Sequence, residues 1–241
     1  MGKSMSDSEN TAAPSQAAKP LQNAGRRTFL RIGLGASIFP ITGASCSNNK
    51  EESAQLNGTP QQTEGPFYPV HQQADKDVDL TLIQGHTQRA EGDIIHVRGK
   101  VLDTYGNTIT NAFVEIWQAN KWGRYNHHRD PSNAPLDANF QGWGQTNTDA
   151  NGHYGFRTIM PGAYPAGPGW TRPPHIHFKA SSANHHPVTT QMYFPDEKLN
   201  QEDRILLNLS AADQSRVIAK RRSSSDAEPV FIFNIVLRRA T

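Results

Sequence analysis

His175 and His177 stand two residues apart in a segment, His175 to Lys179, whose residue types favour a strand. In a strand, residues two apart point to one face at roughly 6.6 to 7 Å spacing, so both imidazoles can converge on one ion. In a β-protein such a pair by itself is more often exposed or hydrogen-bonded than a pair of ligands. Its surroundings give it weight. A stretch rich in Pro and Gly, Pro161-Gly162-Ala163-Tyr164-Pro165, leads through Arg172-Pro173-Pro174 into the histidines, and such a loop fixes the approach of a side chain without regular secondary structure. The chain has one cysteine, Cys46. That excludes an intramolecular disulfide and a thiolate cluster, so a metal here is held by nitrogen and oxygen.

The elements that must position these residues read as short strands. Ile94 to Val101 alternates and runs into the turn Asp103-Thr104-Tyr105-Gly106-Asn107, after which Ala112 to Trp117 reads as a second strand, together a hairpin-like unit. A turn at Thr148 to Gly152 precedes a strand at His153 to Ile159, and further strands are expected at His175 to Lys179, Thr189 to Phe194 and Val230 to Arg238. The only helical candidate is Ala211 to Arg221. With 16 prolines and frequent Gly and Asn punctuation, the pattern predicts an all-β fold, an antiparallel β-sandwich whose long Pro/Gly-rich loops form the metal site.

At 241 residues with 35% hydrophobic side chains, the chain can bury one full-sized core. Residues 61–241 are expected to form it. The formal charge of +2 is uneven: Lys3, Lys19, Arg26, Arg27 and Arg31 against Asp7 and Glu9 put +3 in residues 1–46 and leave −1 for the rest. Nothing in that distribution supports nucleic-acid binding. The leader itself reads as an address. Arg26-Arg27-Thr28-Phe29-Leu30-Arg31 is followed by an apolar run, Ile32 to Ala44, too short and too broken by Gly and Pro40 to span a bilayer. It looks like a twin-arginine export signal over 1–46, which would place the protein in the periplasm or at the cell surface. Cys46 after Gly43-Ala44-Ser45 suits signal cleavage or lipid attachment. Residues 47–60, polar and rich in Asn, Gln and Glu, read as a flexible tether.

Several motifs in one order carry a resemblance: TEGPFYP at 63–69, VEIWQAN followed by KWGRY at 114–125, FQGWGQTNTDANGHYGFRTIMPGAYP at 140–165 and RPPHIHF at 172–178. Together they resemble the intradiol ring-cleavage dioxygenases, nearest the protocatechuate 3,4-dioxygenase kind, over roughly 61–239. The resemblance implies one non-haem Fe(III) per chain, held by Tyr125, Tyr164, His175 and His177. It implies a catecholic substrate and O2, opening of the ring between the two hydroxyl-bearing carbons, and a muconate-type dicarboxylate as product. Tyr164 would leave the metal to accept a substrate proton, Arg172 would stabilise negative charge on the activated ring, and Gln191 would orient groups around it. The ligand set is chemically coherent, because a bound cation stabilises a deprotonated tyrosine and two hard phenolates favour the ferric state.

Two departures from the family pattern stand out. Protocatechuate enzymes carry a tryptophan after the Tyr-Pro of the axial ligand, whereas this chain has Ala166 followed by Gly167-Pro168-Gly169-Trp170. They also pair two unlike chains, and this sequence is compatible with a homo-oligomer or with an unlike partner. The competing class is a non-catalytic transthyretin-like or carbohydrate-binding β-sandwich, which has no reason to keep all four ligands. An Fe(II) extradiol site would instead need two histidines and a carboxylate. Glu64 to Tyr68 is expected either to line the substrate mouth or to form a structural N-terminal strand. The paired histidines His127-His128 and His185-His186 read as solvated loop residues.

Overall fold

The computed structural model describes residues 55–70, 73, 75–222 and 228–240. The expected export signal, Cys46, His71 and residues 47–54 of the expected tether lie outside the described residues. Eleven strands are present among the described residues, and they form two main sheets and a small hairpin. In the first sheet β1 (Ile94–Asp103) pairs antiparallel with β4 (His153–Ile159) along one edge. Along its other edge it pairs parallel with β10 (Val230–Ile232) and then with β11 (Ile235–Leu237), while β9 (Lys220–Arg222) extends the sheet beyond β10. The second sheet is fully antiparallel, in the order β3 (Trp143–Asn147), β2 (Phe113–Trp117), β7 (His175–Ser181), β8 (Val188–Tyr193). The fold is the expected all-β sandwich, with the difference that the first sheet is mixed.

The two sheets share one core, and strand alternation decides what enters it. Along β1 buried and less buried residues alternate, which puts Val97 and Val101 inside. The second sheet contributes Val114 and Ile116 from β2, Ile176, Phe178 and Ala180 from β7, and Met192 from β8. Rings from the two layers meet at Phe178, 6.0 Å from Tyr154 and 5.0 Å from Phe233 between centroids. Period two then sends the intervening residues of the second sheet to its other face. His175 and His177 on β7, Trp117 on β2, and Gln191 and Tyr193 on β8 therefore share a surface that only loops and the small hairpin can cover.

Four expectations are corrected. The segments 94–101 and 112–117 are not strand partners: the chain turns back only as far as a bridge between Leu102 and Thr108, then crosses to the second sheet, where β2 pairs with β3 and β7. The strand expected at 230–238 is split at Phe233 and Asn234, which leave the regular ladder but still meet β1, with Phe233 N–H donating to Arg98 O and Asn234 Oδ1 accepting from Lys100 N–H. The helix over 211–221 ends at Val217, leaving a seven-residue α2 (Ala211–Val217) capped by Ser210, and its last residues become β9. The tether stops short of residue 60. Thr59 is buried, its N–H donates to Val236 O and its Oγ1 accepts from Val236 N–H, so residues 55–60 are part of the packed unit.

Candidate metal centre

The Pro/Gly-rich stretch before the histidines is a β-hairpin: β5 (Tyr164–Gly167) pairs with β6 (Trp170–Arg172), with a bulge at Pro165 to Gly167 and Gly169 in the turn. Its register sets Tyr164 directly opposite Arg172. Three residues beyond Arg172 the chain enters β7 and delivers His175 and His177. One short run of chain thus supplies four of the six expected residues. Tyr125 arrives from the loop after β2. Asn120 organises that loop, its Oδ1 accepting from Trp122 N–H and Arg124 N–H, and Asp130 Oδ2 accepts from Tyr125 N–H at 2.6 Å.

The two tyrosine-bearing segments are clamped backbone to backbone. Gly162 N–H donates to Asn120 O at 2.9 Å, and a Cβ on Gly162 would sit 2.4 Å from both Gly123 N and Lys121 O. Those are main-chain atoms that cannot swing aside. Gly162→Ala is therefore expected to push the loops apart, lowering stability by about 1–3 kcal/mol and loosening metal binding. Thermal denaturation and metal content of the purified variant check this; an unchanged Tm would show that the loops tolerate separation.

The four side chains converge. Ring centroids lie 4.9 Å apart for His175 and His177, 5.6 Å for Tyr125 and Tyr164, 5.7 Å for Tyr164 and His175, and 6.2 Å for Tyr125 and His177. The Tyr125 hydroxyl is 3.4 Å from His175 Nε2. His175 Nδ1 lies 2.6 Å from Pro173 O, which requires the proton on Nδ1 and leaves the Nε2 lone pair directed at the tyrosine. The His177 ring is held by stacking on Trp117 at 4.8 Å and 10°, its direct cross-strand partner. Its Nδ1 is buried without a hydrogen-bond partner.

The electrostatics fit a cation. Burial first, then the positive charge of Arg172, hold both imidazoles neutral, with His177 pushed down to about 3 and His175 well below its ordinary value. Neutral imidazole is the form that binds metal. Burial raises both phenols, Tyr125 well above its usual value, and the positive charge of Arg172 opposes the rise at each. A phenolate there requires a compensating positive charge, which a coordinated metal supplies. Among the described residues no group of three or more His, Cys, Asp or Glu is placed to hold a metal; the side chains that converge with the two histidines here are the two tyrosines.

Arg172 is 4% exposed and ion-paired with Asp203, which is fully buried, Nε lying 2.9 Å from Oδ1. Its Nη2 donates to Gln191 Oε1 at 2.6 Å and to Tyr193 OH at 3.2 Å. Gln191 is fixed in turn, its Nε2 donating to Thr63 O at 3.0 Å and its N–H to Gln62 Oε1 at 2.9 Å. Trp170 lies 5.8 Å from the Arg172 guanidinium and donates from Nε1 to Asp203 Oδ1 at 3.2 Å. Asp203 also accepts from Leu206 N–H and so caps α1 (Arg204–Leu207). Neither Asp203 nor Tyr193 was expected from the sequence. Tyr193 had a signal, since period two from Gln191 places it on the same face; Asp203 had only its cap position.

A cavity of about 560 Å³ opens over the centre, bordered by Tyr164, Arg172 and His177 at its base and by Phe67, Trp170 and Ile205. Tyr125 is 3% exposed and lies beneath it. Gly65, Pro66 and Phe67 line the mouth, which decides between the two expectations for that segment, and no strand forms there. His127 is half-buried against Phe67 at 5.9 Å rather than solvated.

A family model described as Dioxygenase matches residues 63–239. The beta chain of protocatechuate 3,4-dioxygenase from Burkholderia cepacia is 41% identical over 179 residues, which cover 72% of this chain and 76% of that one. Catechol 1,2-dioxygenase 1 from Acinetobacter lwoffii is 34% identical over 196 residues, covering 74% of this chain but 59% of its own length. The dioxygenase domain of a dioxygenase carbohydrate-binding protein fusion from Streptomyces sp. SirexAA-E is similar in structure with a TM-score of 0.57 at 27% identity, covering 76% of this chain and 100% of that one.

Proposed function

The chain belongs to the intradiol ring-cleavage dioxygenases, and from that premise we propose that it is an Fe(III)-dependent enzyme that opens a catechol with O2 to a muconate-type dicarboxylate. Tyr125, Tyr164, His175 and His177 would hold one iron per chain. The observation that carries this is their convergence beneath a cavity, two phenols and two neutral imidazoles with no carboxylate among them. The bound iron would supply a Lewis-acid and one-electron centre that makes the catechol ring reactive toward O2.

The protein side chains divide the remaining work. Tyr164 borders the cavity while Tyr125 is buried beneath it, so Tyr164 Oη is the phenolate oxygen within reach of a substrate hydroxyl and accepts its proton. The Arg172 guanidinium, locked by Asp203, Gln191 and Tyr193, holds a fixed positive charge beside the ring without reorganising during reaction. Gln191 keeps that charge aimed. Phe67 and Trp170 wall the ring off from water.

Expressed with iron supplied, the protein should carry about one Fe(III) per chain and be red-brown from tyrosinate-to-iron charge transfer. Elemental analysis and the visible spectrum, with and without catechol, test this. Colourless protein holding zinc or nothing after iron reconstitution would sink the proposal.

We further propose that the enzyme is exported folded by the twin-arginine route, on the strength of Arg26-Arg27 and the short apolar run behind them. Replacing both arginines by lysine should confine the protein to the cytoplasm. Fractionation showing unchanged export would refute this route.

A further inference from the structure

We propose that the cavity selects catechols whose ring substituent is uncharged and apolar, and discriminates against those bearing a ring carboxylate; this rests on the ring-cleavage function proposed above. The 41% identity to a protocatechuate chain points the other way, but the cavity wall argues against a carboxylated substrate.

Charge is the first argument. Of the side chains that border the cavity, Arg172 alone is cationic, and its charge is already matched by buried Asp203 at 2.9 Å. Its Nη2 is engaged with Gln191 and Tyr193. Arg172 is held beside the ring by Asp203, Gln191 and Tyr193, so a ring carboxylate lying toward Ala166 and Gly167 would lose its water against an apolar border that offers it no cation of its own. Arg204 does not border the cavity, whereas Gly167 does; the Arg204 guanidinium lies 5.3 Å from the Trp170 ring centroid.

Space is the second. About 560 Å³ is in the range of pockets that enclose drug-sized ligands, well beyond a single ring. The room comes from the hairpin after Tyr164, where Ala166 and Gly167 leave the wall low and a Cβ on Gly167 would meet nothing within 4 Å. The remaining border is apolar, with Pro66, Phe67, Trp170 and Ile205 offering surface to an alkyl or aryl group. Each methylene buried there should tighten binding about fourfold.

The test uses the full chain loaded with iron and three probes that differ at one ring position: catechol, 4-butylcatechol and protocatechuate. Dissociation constants are measured anaerobically by calorimetry, and kcat/KM in air. Expected is 4-butylcatechol bound more tightly than catechol, and protocatechuate at least about tenfold more weakly than 4-butylcatechol, in binding and in kcat/KM. Gly167→Arg, which sets a cation on the open wall, should narrow that gap by about tenfold. Protocatechuate binding as well as 4-butylcatechol, or a gap that Gly167→Arg leaves untouched, overturns the selectivity inference. Absence of turnover with every catechol, whatever the binding order, overturns the ring-cleavage function instead.

Discussion

Tyr164→Phe is expected to keep its iron through Tyr125, His175 and His177, yet to turn catechols over about 10²- to 10⁴-fold more slowly, the range for losing a positioned proton acceptor. Tyr164 borders the cavity and Tyr125 does not, so a substrate hydroxyl there has Tyr164 as its nearer phenolate base. Tyr125→Phe should fail differently. Tyr125 lies beneath the cavity, 3.4 Å from His175 Nε2 and closed off from solvent. Losing it removes a buried ligand, so iron retention falls and the charge-transfer colour shifts even with catechol present. Iron content, the anaerobic catechol-bound spectrum and turnover, measured on both variants against the parent, separate the two roles. Equal iron loss in both, or full activity in Tyr164→Phe, would show that the tyrosines are not divided in this way.

Asp203→Ala should be the most destabilising single change near the centre. It strips the counter-charge from Arg172, which is 4% exposed, removes the cap of α1, and leaves Trp170 Nε1 without its acceptor. Breaking a buried ion pair on one side costs about 3–5 kcal/mol. In a domain of this size that corresponds to a fall of roughly 6–20 °C in Tm. Arg172→Ala strands Asp203 by the same logic, so its loss of rate, on the order of 10²-fold, must be read beside its Tm. Replacing both, Arg172→Met with Asp203→Leu, should recover the part of the stability lost to the stranded charge, but not the α1 cap or the Trp170 hydrogen bond, and none of the activity, because the apolar pair fills the volume but carries no charge for the ring. Thermal denaturation and turnover of the three variants distinguish these effects. Recovery of activity in the double variant would show that Arg172 serves packing alone.

Selective pressure on such a centre leaves unequal traces in a sequence. The histidine pair was legible from spacing, since alternation is a property of the local backbone and holds wherever the strand lies. The tyrosines, Arg172 and Gln191 were legible only through resemblance: nothing in the spacing of Tyr125 and Tyr164 foretells that Gly162 seats against Gly123 and Lys121 to bring their loops together. Local signals also overreached. The segments 94–101 and 112–117 looked like a hairpin because a turn joins them, whereas β1 and β2 find their partners in separate sheets.

By itself the sequence determined an all-β chain of short, punctuated strands, the common face of His175 and His177, and a metal chemistry restricted to nitrogen and oxygen. Tertiary structure alone decided what Arg172 is worth. Its counter-ion lies 31 residues along the chain in a helix cap, and its other partners lie across two strand pairings. The low wall at Ala166 and Gly167 is likewise a vacancy only once β5 and β6 have paired over the second sheet. Long-range pairings of this kind are selected by the summed burial of the whole core, which no local window of sequence contains.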